Sequence, residues 1–171
     1  MLNRIERILV ACNRWVLILL LLAMSCIVFA NVVLRYTTGD SIVWAEEVAR
    51  HMMIWVTFLG AGLVLRFGGH VAIDNLHTAV GTALARGVRS FVAAGIGLFC
   101  LVMAYFSMLY VWATRFQTTA ATDIPMAWIY AAMPVGFVLM FVHLLFIARA
   151  YIAEGSYATS DEMDAEAAAS L

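Results

Sequence analysis

The sequence predicts an all-α integral membrane protein with four transmembrane helices, an interfacial amphipathic segment and both chain ends on the inner side. Three observations carry that expectation. Mean hydropathy is +0.95 over 171 residues. Charged residues make up 12 % of the chain, whereas soluble domains carry about 25 %. The charge is also segregated, with long uncharged runs alternating with short charged ones, as in a chain that crosses a bilayer several times.

The first run, 15–34, has twenty uncharged residues and reaches about 30 Å as a helix, one hydrocarbon thickness. Arg4, Arg7 and Arg14 precede it, as basic residues precede the core of a signal peptide. Such a core is about 7–15 residues long, so the run is read as a retained span. Ser25-Cys26 is a weak match to a lipoprotein cleavage site, and the apolar run continues past it. The second uncharged run, 52–65, reaches only about 21 Å. It spans only if its helix starts near Trp44 and takes in Glu46, Glu47, Arg50 and His51. A third span covers 90–114. A fourth covers 126–148, opened by Pro125 and carrying Pro134, where a bend is expected.

With the first end inside, Arg4, Arg7, Arg14, Arg66, Arg86, Arg89 and Arg149 fall on the cytoplasmic side. Arg35 and Arg115 fall outside, with Arg50 close to that surface, which is a positive-inside bias. Between 66 and 89 the apolar Val71, Ile73, Leu76, Val80 and Leu84 recur at mostly helical spacing, interleaved with His70, Asp74, His77 and Arg86. Residues 70–86 are therefore expected to lie along the inner interface as an amphipathic helix. The membrane domain is read as 1–153. From 154 to 171 the chain is polar and acidic, as expected of a flexible cytoplasmic tail.

Several function classes drop out. Net charge is −1 and every basic residue is Arg, so no nucleic-acid footprint is present. Cys12, Cys26 and Cys100 lack metal-ligand spacing and are each expected to be small buried hydrophobes. No nucleophile–base pair, phosphate loop or metal cluster is visible, so catalysis, substrate binding and cofactor binding are not expected of this chain. His51 and His143 raise a haem hypothesis, but they fall at different depths, and His143 is expected to be a hydrogen-bonded packing residue. Gly60, Gly62, Gly95 and Gly97 permit close approach of helices.

The charged cluster carries the functional argument, because charge inside a span costs about 2.5–3.5 kcal/mol per residue at its centre. Glu46 and Arg50 are four apart, as are Glu47 and His51, so on a helix both pairs can meet with the acid first. Three readings stand: an interfacial anchor with Trp44, a structural ion-pair network between helices or subunits, and an ion or proton pathway. Arg35 is placed to join the cluster around Gly39. The pathway reading lacks a partner acid, since the other three uncharged runs contain no Asp or Glu.

Residues 31–74, NVVLRYTTGDSIVWAEEVARHMMIWVTFLGAGLVLRFGGHVAID, resemble the small membrane subunit of tripartite ATP-independent periplasmic (TRAP) transporters. The resemblance is carried by Asn31, Arg35, Tyr36, Ser41, Trp44, Glu46, Glu47 and Arg50. It continues through Trp55, Phe58 to Ala61, Gly69, His70 and Asp74. It covers about a quarter of the chain.

The resemblance implies an accessory subunit in the bacterial inner membrane that braces a large membrane subunit and is not an enzyme. The large subunit would hold the substrate and sodium sites, and a periplasmic binding protein would deliver an organic acid. Membrane lipids complete the expected partners. Arg35, Trp44, Glu46, Glu47, Arg50 and His51 would then form a structural ion-pair cluster at a partner interface. Asp40, Arg115 and Asp123 are candidate contacts for the binding protein, and His70 and Asp74 form an inner-loop motif. A different class of function, a haem- or quinone-associated anchor of a respiratory complex, would require histidines at matched depth. An autonomous channel would require a carboxylate deep within a span.

Overall fold

The structure, a computed structural model, describes residues 2–67 and 82–154. The chain forms helices α1 (Leu2–Thr38), α2 (Ala45–Arg66), α3 (Thr82–Ala113), α4 (Met126–Tyr130) and α5 (Ala132–Glu154). Among the described residues, four stretches are long and apolar enough to cross a membrane: Arg4–Thr38, Ala45–Arg66, Ala83–Ala113 and Met126–Ala153.

α1 has 37 residues, about 55 Å at helical rise, well beyond the expected span of 15–34. Its first turns carry Arg4, Glu6, Arg7 and Arg14, residues suited to the headgroup zone rather than the hydrocarbon. α3 likewise begins at Thr82, so the last part of the expected interfacial segment belongs to this helix. The rest of that segment, with His70 and Asp74, lies outside the described residues, as does the acidic tail beyond 154.

The fourth span is interrupted at Ala131, three residues before Pro134. Proline has no N–H to give, and its ring crowds the carbonyl four residues back, here that of Tyr130. The helix resumes at once, with the Val135 amide donating to the Ala131 carbonyl at 3.2 Å.

α5 packs between α2 and α3, and α1 packs on α2. The core follows from that order. Leu65, Ala93, Cys100, Met140, Leu144, Ile147 and Tyr151 form one buried cluster around α5. Phe137 meets Phe58 of α2 and Phe99 of α3 edge to face, at 5.7 and 5.8 Å between ring centroids. Cys100 is buried as expected, but Cys12 and Cys26 sit exposed on α1, which packs on α2 and is not covered on its other face by any helix among the described residues.

Two glycines set how closely α2 approaches α5. A Cβ on Gly136 would lie 2.6 Å from the Phe58 Cβ and 2.7 Å from its carbonyl oxygen. One on Gly62 would lie 2.6 Å from the His143 ring. Gly97 has only ordinary contacts with α5, whereas Gly60 and Gly95 face open space, so the expected glycine contacts narrow to one face. Of Gly62 and Gly136, only Gly136 meets the partner helix's backbone within 3 Å, and it is not among the glycines singled out from sequence.

α1 is fixed to α2 by polar contacts, in a setting where apolar surface gives helices little drive to associate. Glu6 and Arg66 form an ion pair at 2.6 Å. Two turns further along α1, the Asn13 amide donates to the Leu59 carbonyl at 3.0 Å. From Glu6 to Asn13 and from Arg66 to Leu59 the step is seven residues on each helix, so both contacts specify one antiparallel register. At the far end, the Ile42 amide donates to Asn31 Oδ1 at 2.7 Å and closes the α1–α2 turn.

Candidate functional site

The charged cluster sits in the first two turns of α2, which begins without a side-chain cap: Trp44 occupies the cap position, and its side chain makes no capping bond. Four orphan amides at a helix start favour nearby acids, and Glu46 and Glu47 supply them. Glu47, however, turns away from its own helix.

Its carboxylate enters the loop between α3 and α4. The Ala121 amide donates to Oε2 at 2.9 Å, and the Thr122 amide donates to Oε1 at 3.1 Å. The Thr122 hydroxyl also donates to Oε1. The direction of the next bond follows. A carboxylate has no hydrogen to give, so Thr122 donates to it, and Thr119 must therefore donate in the 2.7 Å contact between the two threonines. Thr119 in turn accepts from the Ile124 amide at 3.1 Å. A directed chain thus runs from Ile124 through Thr119 and Thr122 to Glu47, each bond polarising the next.

Backbone bonds close the same loop. The Thr119 amide donates to the Ile124 carbonyl at 3.0 Å, and the Met126 amide donates to the Gln117 carbonyl at 2.8 Å. At its tip Asp123 takes the left-handed conformation, φ 52°, which Asp tolerates better than most residues. Glu47 and Thr119 are both buried, at 9 % and 3 % exposure, so the carboxylate and its loop form one packed unit.

The remaining cluster residues are arranged differently. The structure joins neither Glu46 to Arg50 nor Glu47 to His51. Arg35, Asp40, Glu46 and Arg50 are exposed, and their side chains have no ion pair or hydrogen bond among the described residues. Glu46 and Glu47 point to different sides of α2 because adjacent helical residues are about 100° apart. Trp44 is 44 % exposed. With Tyr36, Trp112, Phe116 and Trp128 it forms an exposed aromatic set at this end of the bundle. Arg115 folds back over that set, 4.0 Å from the Trp112 ring centroid and 4.3 Å from that of Phe116, while donating to the Trp112 carbonyl at 2.7 Å.

The two candidate haem histidines are well separated. Gly62 lies against His143, and His51 is eleven residues earlier on the same helix, about 16 Å along its axis. One iron cannot take both imidazoles. His143 is fully buried in packing, as expected, but its two ring nitrogens have no hydrogen-bond partner among the described residues, contrary to the expected bond. Among those residues no group of three or more His, Cys, Asp or Glu is placed to hold a metal ion.

Residues 24–151 match the model of the DctQ component of tripartite ATP-independent periplasmic transporters. The chain belongs to this family. Within this small permease family, the ectoine TRAP transporter small permease protein of Halomonas elongata is 28 % identical over 135 residues, covering 78 % of this chain and 70 % of that protein. The C4-dicarboxylate TRAP transporter small permease protein of Vibrio cholerae is 27 % identical over 154 residues, covering 74 % of this chain and 65 % of that one. Its counterpart in Rhodobacter capsulatus is 31 % identical over 127 residues, covering 70 % and 55 %. The small subunit described here is therefore a multi-pass membrane protein of a TRAP system, a class of transporters rather than enzymes.

Sequence reasoning placed Glu47 correctly in the first turn of α2 but did not find its partners. Thr119, the Ala121 amide and Thr122 lie 72 to 75 residues away along the chain. The available signal was the polar run 117–123, which has more hydroxyls than a short turn between spans requires.

Proposed function

We propose that this chain is the bracing subunit of a sodium-coupled importer in the bacterial inner membrane, with both termini cytoplasmic. A large TRAP membrane subunit would hold the substrate and sodium sites, and a periplasmic binding protein would deliver an organic acid. The small subunit would carry neither a cofactor nor a cargo site.

The observation that carries this reading is where Glu47 points. It is the buried acid of the described residues, and its carboxylate is committed to this chain's own loop. An acid used in that way fixes the shape of a surface and is not offered to a moving ion. Arg35, in the last turn of α1, and Glu46, next to Glu47 in sequence, are exposed and without partners among the described residues. Charges left unpaired at a membrane boundary are suited to opposite charges on a scaffold, where they set depth and orientation. In this reading Trp44 and the half-buried His51 flank that contact, and the inner-loop residues His70 and Asp74 serve the opposite end.

The binding protein would approach the end formed by 37–41 and 117–123. Asp40 and Asp123 are its candidate contacts, and Arg115 is a third, held ready by its aromatic platform. The named relatives serve transporters for different solutes, ectoine in one and C4-dicarboxylates in two. Cargo choice is accordingly assigned to the other subunits.

The test is purification of the tagged chain from its native membrane, followed by identification of its companions and by reconstitution. A larger multi-span TRAP subunit should co-purify, and the small subunit alone should give no uptake in vesicles. Uptake by the chain alone, or a haem-bearing companion, would overturn the proposal.

A further inference from the structure

The face of α1 turned away from α2 carries a seven-residue repeat. Ile5, Cys12, Leu19, Cys26 and Val33 are spaced seven apart. Three residues further on, Ile8, Trp15, Leu22, Phe29 and Tyr36 repeat at the same interval. Both series are exposed throughout. They are the a and d positions of a heptad, the seam along which long helices pair. The second series is 57–82 % exposed, whereas Val16, Ile18, Leu21 and Val28 beside the seam reach 38–45 %. Glu6, Asn13 and Asn31 hold the other side of α1 against α2 and its turn. We propose that this seam packs as a left-handed coiled coil against one long helix of the large TRAP subunit, an assignment that rests on the bracing role given above.

Within the uncharged run 15–34 almost any line along the helix is apolar, so the flanks of that run decide. Arg4, Glu6, Arg7, Asn13 and Arg14 all fall off the seam, while Ile5, Ile8 and Cys12 keep it apolar. At the other end Arg35, Thr37 and Thr38 fall off it, and Tyr36 continues it. From Ile5 to Tyr36 the seam is about 46 Å long, or about 43 Å along the membrane normal at an ordinary tilt of about 20°. Hydrocarbon covers about 30 Å of that. The remainder would face headgroups or water unless another helix follows the seam throughout. A strict heptad drifts by about 20° per repeat on a straight helix. The follower must therefore cross at about +20° and supercoil with α1.

Side-chain size and charge select the occupant. Trp15, Phe29 and Tyr36 are bulky, and Cys12 and Cys26 between them are small. In a two-fold pair of this chain, with both copies in one membrane orientation, each layer meets its own copy. Aromatics would then face aromatics and cysteines face cysteines, whereas helices interdigitate when large side chains face small ones. α1 also carries Arg4, Arg7, Arg14 and Arg35 against one acid, Glu6, which is committed to Arg66. A second copy would set arginine beside arginine along the contact, and like charges disfavour a partner. A different helix, small where α1 is bulky and acidic at its ends, meets both conditions. In the bracing reading that helix belongs to the large subunit.

The test is photocrosslinking in native membranes that hold the whole transporter. A photoreactive residue at position 15, 22 or 29 of the tagged chain should give an adduct with the large subunit. One at position 98, on the exposed face of α3, should not. Cys26→Trp fills the narrow part of the seam without altering charge and should lower recovery of the large subunit about ten-fold, the scale of an overpacked contact. Leu98→Trp should leave recovery at the wild-type level. Recovery of the large subunit with only lipid adducts at 15, 22 and 29 would overturn the seam and leave the bracing role standing. So would adducts with a second copy of this chain, equal adducts from position 98, or full recovery with Cys26→Trp. Failure of the wild-type chain to recover any large subunit would overturn both.

Discussion

Glu47 and Asp123 shape the same loop by different means, and substitutions separate them. In Glu47→Gln one acceptor oxygen becomes a donor, so an amide hydrogen meets Ala121 or Thr122, both of which also donate. Hydrogen exchange on the chain in lipid nanodiscs should show lost protection at the Ala121 and Thr122 amides, with little change in α5. Unaltered exchange there would mean that the loop holds its shape without the carboxylate. At Asp123 the backbone is the constraint, because φ is 52°. Asp123→Asn keeps a residue that tolerates this conformation and removes the charge. Asp123→Val should cost roughly 1–2 kcal/mol through backbone strain. Thermal unfolding should therefore separate Val from Asp and Asn. A weaker response to limiting binding protein in the Asn variant would then report charge alone.

At the scale of helices, the α2–α5 crossing depends on atoms that are missing. Gly136→Ala would press a methyl group into the backbone of Phe58, and overpacking of this kind costs about 1–3 kcal/mol. Gly95→Ala meets nothing within 4 Å and gains helix propensity of up to about 1 kcal/mol. Thermal unfolding in detergent should show the first variant destabilised and the second neutral or stabilised. Similar melting of both would contradict the close crossing. The α1–α2 register makes a related prediction. Asn13→Leu removes an interhelical bond, and such bonds average about 0.6 kcal/mol in membranes, so the change should be small. Pairing it with Glu6→Gln removes both contacts that set the register at the end of the bundle away from the α1–α2 turn. A cysteine crosslink between the two helices at that end should then form less efficiently than in wild type.

For the whole molecule, the number and order of spans were legible because hydrocarbon thickness and helical rise leave little choice for runs such as 15–34 and 52–65. The start of α2 was legible for the same reason, since the second run is too short without the charged cluster. The length of α1 was not, because helix continues into polar residues that hydropathy assigns to the interface. The partners of Glu47 were out of reach, since spacing reveals neighbours four apart and not a loop more than seventy residues away. Local spacing instead favoured Glu47–His51 and Glu46–Arg50, which the structure does not form. Gly136 escaped notice because a lone glycine gives no sign of which helix will cross it.

The division of labour at the Glu47 end is the central claim: Glu47 shapes this chain, while Arg35 and Glu46 hold its partner. The direct measurement is recovery of the large subunit on the tagged small subunit carrying Arg35→Ala and Glu46→Ala, with uptake measured on the assembled fraction. Recovery should fall severalfold at unchanged expression of the small subunit, and the substrate concentration giving half-maximal uptake should stay at the wild-type value. Full recovery with an altered substrate dependence would contradict the claim and place these residues on the path of the cargo.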